Sequence, residues 1–373
     1  MDKQMSIQGI ASASLLDLFP NSGKQMLTTS GPALIQRLGE DAVRDVVLDV
    51  FLGGNLRDST EQLTRARIAT INLALLEMYL KGVAGDPNFH TTVENAAIAR
   101  LGAKGVSKPE RWLAEWLIGL TDKATQNVLR DSDAGLKSYV AKYQEVNSAV
   151  VSAQIASAGE LEGVLELDGA GVGTVNWEWF SHLLNAIGAE TLTIRGSEKS
   201  TYGKLFERLI LGSLLVALGY EYNSGGESAL RPGQFILSSA GEKRESDATL
   251  LYDLGRAARF DIGFIGRGNT EISLDKVSRF EAVEYINGKR VYVATVIIVD
   301  RIGARSRIES MAKDIGGSIV QMSAAMWPVQ VDDILANSFG YAPTLKSMSV
   351  NGLRSYMGSK LLQVPITSFL PTN

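Results

Sequence analysis

Two carboxylates, Asp261 and Glu271, bracket the run Asp-Ile-Gly-Phe-Ile-Gly-Arg-Gly-Asn-Thr-Glu. Its centre, Gly266-Arg-Gly-Asn269, carries turn residues, and the flanks near 260–265 and 271–273 have strand composition. Asp261 then starts one strand and Glu271 starts its antiparallel neighbour, so both side chains meet at one edge of a sheet. Paired carboxylates repel each other unless a cation lies between them. Mg2+ takes hard oxygen ligands, commonly one or two carboxylates completed by water and phosphate oxygens. An ion so held activates water and stabilises charge on a phosphodiester. The bland alternative is a pair of ordinary acids flanking a hairpin turn. Asp247, in Glu245-Ser-Asp-Ala248, is a rival for the ligand position.

The elements that must position these groups follow from the surrounding pattern. A helix is expected from about Tyr202 to Leu218, with Gly203, Glu207 and Leu211 on one face. Strands are expected near 234–237, 248–252, 260–265 and 271–273, then a helix over about 275–285. Asp275 at that helix start complements the N-terminal dipole. Val291-Tyr-Val-Ala-Thr-Val-Ile-Ile-Val299 is apolar on both faces and suits the centre of a covered sheet. A helix near 305–314 and a strand at 318–322 complete an α, β-meander, α, β unit. Alternation puts Glu271, Ser273 and Asp275 on one strand face, and Lys276 joins them only if the helix has already begun.

Strand, Asp, turn, Glu-x-small, helix, strand resembles the PD-(D/E)XK nuclease core. Tyr202-Gly-Lys-Leu-Phe-Glu207 is similar to the G-x-x-F-E helix that precedes the metal strands of that superfamily. Glu-Ser-Asp-Ala at 245–248, followed by the stretch from Phe260 to Glu281, resembles type II restriction endonucleases of the CfrBI kind. The resemblance covers residues 200–323. It implies an α/β (α+β) fold with a mixed central sheet flanked by helices, and Mg2+-dependent cleavage of double-stranded DNA at a short palindromic sequence. It further implies a homodimer, a cognate DNA methyltransferase as genetic partner, and a C/G-flanked, A/T-centred site such as CCWWGG. Asp261 and Glu271 would hold the metal, and Glu207 would assist as an outer ligand or water orienter. Two positions depart from the pattern. Phe260 stands where the superfamily has proline, and Ser273 occupies the lysine slot of E-x-K, which leaves Lys276 as the nearest cation for the transferring phosphorus. Ser273 keeps a catalytically inactive DNA-binding module open as a rival, and a structure-specific repair nuclease of the same fold is another.

Local charge agrees with an anionic substrate. The chain carries −4 overall, yet residues 256–313 hold 11 Lys/Arg against 7 Asp/Glu. Phosphate contacts supply much of DNA affinity and arginine reads guanine edges, so Arg279, Arg301, Arg305 and Arg307 are the expected DNA contacts.

The 373 residues, 45% of them hydrophobic and 21% charged, suit two globular parts. A helical N-terminal region over 1–155, for recognition or dimerisation, would precede a nuclease core over 156–373. Ser59 is the expected N-cap of a helix running to Leu80, and Lys108-Pro109-Glu110 opens another. With no cysteine and only His90 and His182, a disulfide framework, a thiolate zinc site and a Ser-His-Asp hydrolase have no support. No P-loop motif occurs. Gly169-Ala-Gly-Val-Gly173 is a defective dinucleotide fingerprint and reads as a linker. Trp112, Trp116, Trp177 and Phe180 read as core at helical spacing. Arg57, Arg65 and Arg67 read as a solvated helix face, with base readout as the lesser alternative. Neither a secretory signal nor an unbroken membrane-length apolar run is evident, so a cytoplasmic protein is expected.

Overall fold

The computed structural model describes residues 14–27, 32–33, 35, 39–128, 133–226, 229–238, 246–263, 283–286, 289–300 and 317–370. The described helices before the first strand are α1 (Leu15–Leu18), α2 (Asn21–Met26), α3 (Glu40–Phe51), α4 (Leu56–Gly85), α5 (Phe89–Leu101), α6 (Lys108–Leu117), α7 (Asp122–Val128) and α8 (Asp133–Ala158). A hairpin of β1 (Glu162–Leu167) and β2 (Gly171–Asn176) leads into α9 (Trp177–Ala217). Strands β3 (Glu221–Tyr222), β4 (Gln234–Leu237), β5 (Ala248–Asp253), β6 (Arg256–Gly263), β7 (Val283–Ile286), β8 (Lys289–Val299) and β9 (Ser318–Gln321) follow, then α10 (Trp327–Phe339), α11 (Val350–Leu361) and a 3-10 turn, Ile366–Phe369.

The chain divides into two compact units, one of residues 1–29 and 64–199, the other of 30–63 and 200–373. These units divide the chain at 29/30, 63/64 and 199/200, the last within α9. The helix expected over about 202–218 is the C-terminal part of the longer helix α9.

The first unit is helical. Ile71, Leu75, Met78 and Tyr79 of α4 are buried with Trp112, Trp116 and Trp179, so the tryptophan spacing in α6 does mark core. Pro109 sits in the first turn of α6, as the sequence indicates, and the Ser107 side chain caps that helix. Arg67 is buried rather than solvated. Its Nε and Nη2 donate to the Met26 carbonyl at 3.0 and 2.8 Å, which satisfies the C-terminal end of α2. Gly169 and Gly171 take positive φ at the β1–β2 turn, and a Cβ at Gly173 would meet Val83 at 2.3 Å. The glycine-rich stretch is therefore a hairpin turn. By length and composition alone Asp58–Gly85 is apolar enough to cross a membrane, a test that a core helix also passes.

The second unit is built on a seven-stranded mixed sheet, ordered β3-β4-β5-β6-β8-β7, with β9 also on β8. Strands β4, β5 and β6 form an antiparallel meander, β6 runs parallel to β8, and β8 runs parallel to β9. Alternation along β6 and β8 sorts the faces. Ala258, Phe260 and Ile262, with Ala294, Val296 and Ile298, join α9, α10 and α11 in the main core. Helix α3 belongs to this unit: the Trp327 indole donates to the Val50 carbonyl at 2.7 Å and Arg44 Nε to the Leu361 carbonyl at 3.1 Å. Ser59 lies inside α4, not at its cap, with its hydroxyl on the Asn55 carbonyl at 3.0 Å.

Candidate active site

The sheet face opposite the main core changes character along β6. At its start Ala257 packs with Ile236, Leu251, Val291 and Val293. Further along, Arg259 stands in register with Thr249 on β5 and Thr295 on β8. Asp261, in register with Ile297, follows near the end of the strand and is only 3% exposed. A carboxylate so buried is stable only against donors or cations.

This differs from the expected placement of Asp261 at a strand start. Gly255, at φ +118°, allows a tight β5–β6 hairpin, and Arg256 Nε closes it on Asp253 Oδ2 at 2.8 Å. The strand therefore begins at Arg256, and Asp261 arrives at its far end. Over 256–260 β6 is bonded to β5 on one edge and to β8 on the other. The antiparallel neighbour of β6 is thus β5, which brings Asp247 to Asp261.

Asp247 precedes β5, one residue beyond the Ala248–Phe260 pair of the ladder. Its Oδ2 accepts the Ile262 backbone N–H at 2.8 Å, fixing the carboxylate on the peptide that follows Asp261. Its backbone is also held: Ser238 N–H donates to the Asp247 carbonyl at 3.1 Å, and Ser238 Oγ donates to the Ser246 carbonyl. Ser246 Oγ and Thr249 Oγ1 lie 3.1 Å apart. Asp247, the sequence rival, is the described carboxylate that bonds to the peptide between Asp261 and Ile262.

Glu207 lies half-buried in α9, between Phe206 and Arg208. Arg208 has no counterpart in the sequence reading. Its Nε donates to the Phe369 carbonyl at 2.8 Å and its Nη1 to the Ser238 carbonyl. Burial lowers the guanidinium from its ordinary value, while Tyr222 and Asp247 act in the opposite direction. The one sequence signal for it is Gly212, a helical turn away, where a Cβ would meet the Phe369 ring at 2.7 Å. Gly212 and Arg208 together seat the 3-10 turn on α9.

Glu271, Ser273, Lys276, Arg279, Arg301, Arg305 and Arg307 lie outside the described residues. The expected helix over 275–285 is corrected at its end, because Val283–Ile286 is a strand paired with β8, Ile286 opposite Lys289. The Asn287-Gly288 dipeptide between them is a strong hairpin signal. Among the described residues no group of three or more His, Asp or Glu side chains is arranged to hold a metal ion. The carboxylates of Asp247 and Asp261 are hard oxygen donors, the ligand type that Mg2+ takes together with water and phosphate oxygens.

Comparison with known proteins identifies the family of the chain. The CfrBI restriction endonuclease family matches residues 40–307, which takes in helices of both units and the strands from β1 to β8. Type II restriction enzyme CfrBI of Citrobacter freundii is 37% identical over 357 residues, covering 94% of this chain and 97% of that protein. No solved structure matches the chain. A mixed sheet flanked by helices with acidic residues at one strand end, a family match over most of the chain and a near full-length relative agree: this chain belongs to the CfrBI family of type II restriction endonucleases.

Proposed function

We propose that this site-specific endodeoxyribonuclease hydrolyses double-stranded DNA with Mg2+ held by Asp247 and Asp261. The observation that carries this reading is the 2.8 Å bond from Ile262 N–H to Asp247 Oδ2, which draws two carboxylates of the meander to one strand end. When bound there, the ion supplies an activated water and neutralises charge developing on the phosphate. Asp261 acts from a buried position that keeps bulk water from screening its charge. Asp247 keeps one oxygen on the backbone of β6, so its carboxylate is oriented before any ligand arrives.

Glu207, next to Arg208 on α9, is assigned the ordering of the attacking water. Glu271 is a further candidate carboxylate. Lys276 is assigned to the negative charge on the transferring phosphorus, with Ser273 in the slot that lysine fills elsewhere in the superfamily. Arg279, Arg301, Arg305 and Arg307 are assigned to the DNA, following the basic balance of residues 256–313. A palindromic site cut on both strands calls for a homodimer, since site symmetry mirrors protein symmetry. The helical region over 1–155 is assigned to recognition or dimerisation, and a DNA methyltransferase of matching specificity to the neighbouring gene.

Incubation of the protein with unmethylated phage DNA tests the reading. Discrete fragments with Mg2+, and none with EDTA, are expected. A smear would point to cleavage without sequence choice, and intact DNA beside an active control enzyme would refute the proposal.

A further inference from the structure

We propose that Arg208 is a positioning residue for the Asp247 carboxylate, acting through Ser238. The inference rests on the reading of Asp247 as a metal-holding carboxylate.

The connections run in one direction. Arg208 donates from Nη1 to the Ser238 carbonyl and from Nε to the Phe369 carbonyl at 2.8 Å. Ser238 in turn donates its N–H to the Asp247 carbonyl at 3.1 Å and its hydroxyl to the Ser246 carbonyl. These two bonds extend the β4–β5 ladder one step past its last pair, Leu237 with Ala248, to the residue that carries the carboxylate. From there Asp247 Oδ2 reaches across to Ile262 N–H. Helix α9, the ends of β4 and β5, and the end of β6 are thus tied in series, with Asp247 as the last link.

A guanidinium is suited to this task. Its planar fork presents donors in fixed directions, so two carbonyls from distant parts of the chain set its orientation. A lysine ammonium keeps the charge and loses the fork. The Asp247 charge lies within electrostatic reach of Arg208, beside the peptide that the guanidinium fixes. Groups that orient metal ligands change metal affinity by about 10–100-fold when removed.

The test uses the full-length protein and Mn2+ as a metal probe. Mn2+ affinity is measured by electron paramagnetic resonance without DNA, beside melting temperature and the Mg2+ concentration for half-maximal cleavage of phage DNA. Arg208→Gln is expected to weaken Mn2+ binding and to raise the Mg2+ requirement by about 10-fold. Arg208→Lys is expected to show most of the same shift. Ser238→Ala, which removes only the bond to Ser246, shifts both quantities severalfold in the same direction. A lower melting temperature with unchanged Mn2+ affinity and Mg2+ requirement, in Arg208→Lys and Ser238→Ala alike, would overturn the proposal. Asp247→Asn separates the layers. If it leaves Mn2+ binding intact, the carboxylate reading itself fails. If it abolishes binding while the Arg208 and Ser238 variants bind normally, only the positioning role fails.

Discussion

Asp247 and Ile262 are joined across the mouth of the β5–β6 hairpin, the carboxylate Oδ2 of one accepting the backbone N–H of the other at 2.8 Å. The bond reaches the peptide immediately after Asp261. It explains how a residue in a bend, outside the strand ladder, is held in place beside a buried carboxylate. Sheet pairing alone would leave Asp247 free to turn away.

Gly212 is where helix α9 admits the Phe369 ring. Gly212→Ala puts a methyl 2.7 Å from that ring, and overpacking of this kind costs about 1–3 kcal/mol. The denaturation midpoint should fall accordingly. Phe369→Leu in the same chain should recover part of the loss, and simple additivity of the two changes would contradict the contact.

Glu115 is fully buried in α6, with Arg111 Nε on its Oε1 at 3.2 Å. Burial raises its pKa to about 7, against the opposing effect of Arg111. A carboxyl raised in the folded state holds its proton there between about pH 4.5 and 7, so its contribution to stability falls as pH rises through 7. Glu115→Gln removes the charged form. It should stabilise the protein by about 1–3 kcal/mol at pH 8 and by little at pH 5. Thermal melts at the two pH values check this, and equal shifts at both would contradict it.

His182 stands against His90, ring centroids 5.3 Å apart, with Nε2 3.2 Å from Asn147 Nδ2 and Nδ1 3.3 Å from Glu94 Oε2. Burial, and then His90, lower its pKa to about 4. A histidine depressed in the folded state is protonated more readily in the unfolded chain, so stability is lost as pH falls from about 6.5 towards 4. Glu94, raised by burial, acts with the opposite sign. His182→Gln should flatten the melting-temperature profile over this range, and Glu94→Gln should steepen it. Profiles unchanged by both would contradict the assignment.

Much of the fold was legible because its strands are written in strong local patterns. Gln234–Leu237, Ala248–Asp253, Val291–Val299 and Ser318–Gln321 lie where alternation or β-branched runs put them. Asp261 stood out in the sequence with Glu271 across the 266–269 turn as its expected partner, and Glu271 lies outside the described residues. The glycines and asparagine at 266–269 gave a louder turn signal than the single Gly255, which makes the β5–β6 hairpin. Asp247 was noticed only as a rival, since nothing local shows that its carboxylate crosses to Ile262. Arg208 left only the indirect trace of Gly212, one helical turn away. Its two acceptors are backbone carbonyls 30 and 161 residues away in the chain, and main-chain acceptors leave no trace in residue type. The buried cluster around His182 was hidden because its side chains come from three separate elements, α5, α8 and α9.

On the proposed reading, Asp247 and Asp261 together hold the catalytic metal. The most direct measurement compares cleavage of phage DNA by wild type, Asp247→Asn and Asp261→Asn over a Mg2+ series, with DNA binding in Ca2+ as the control for folding. Each variant should lose at least about 100-fold in rate while still retaining DNA in Ca2+. Cleavage by Asp247→Asn at the wild-type rate and Mg2+ requirement would contradict the account.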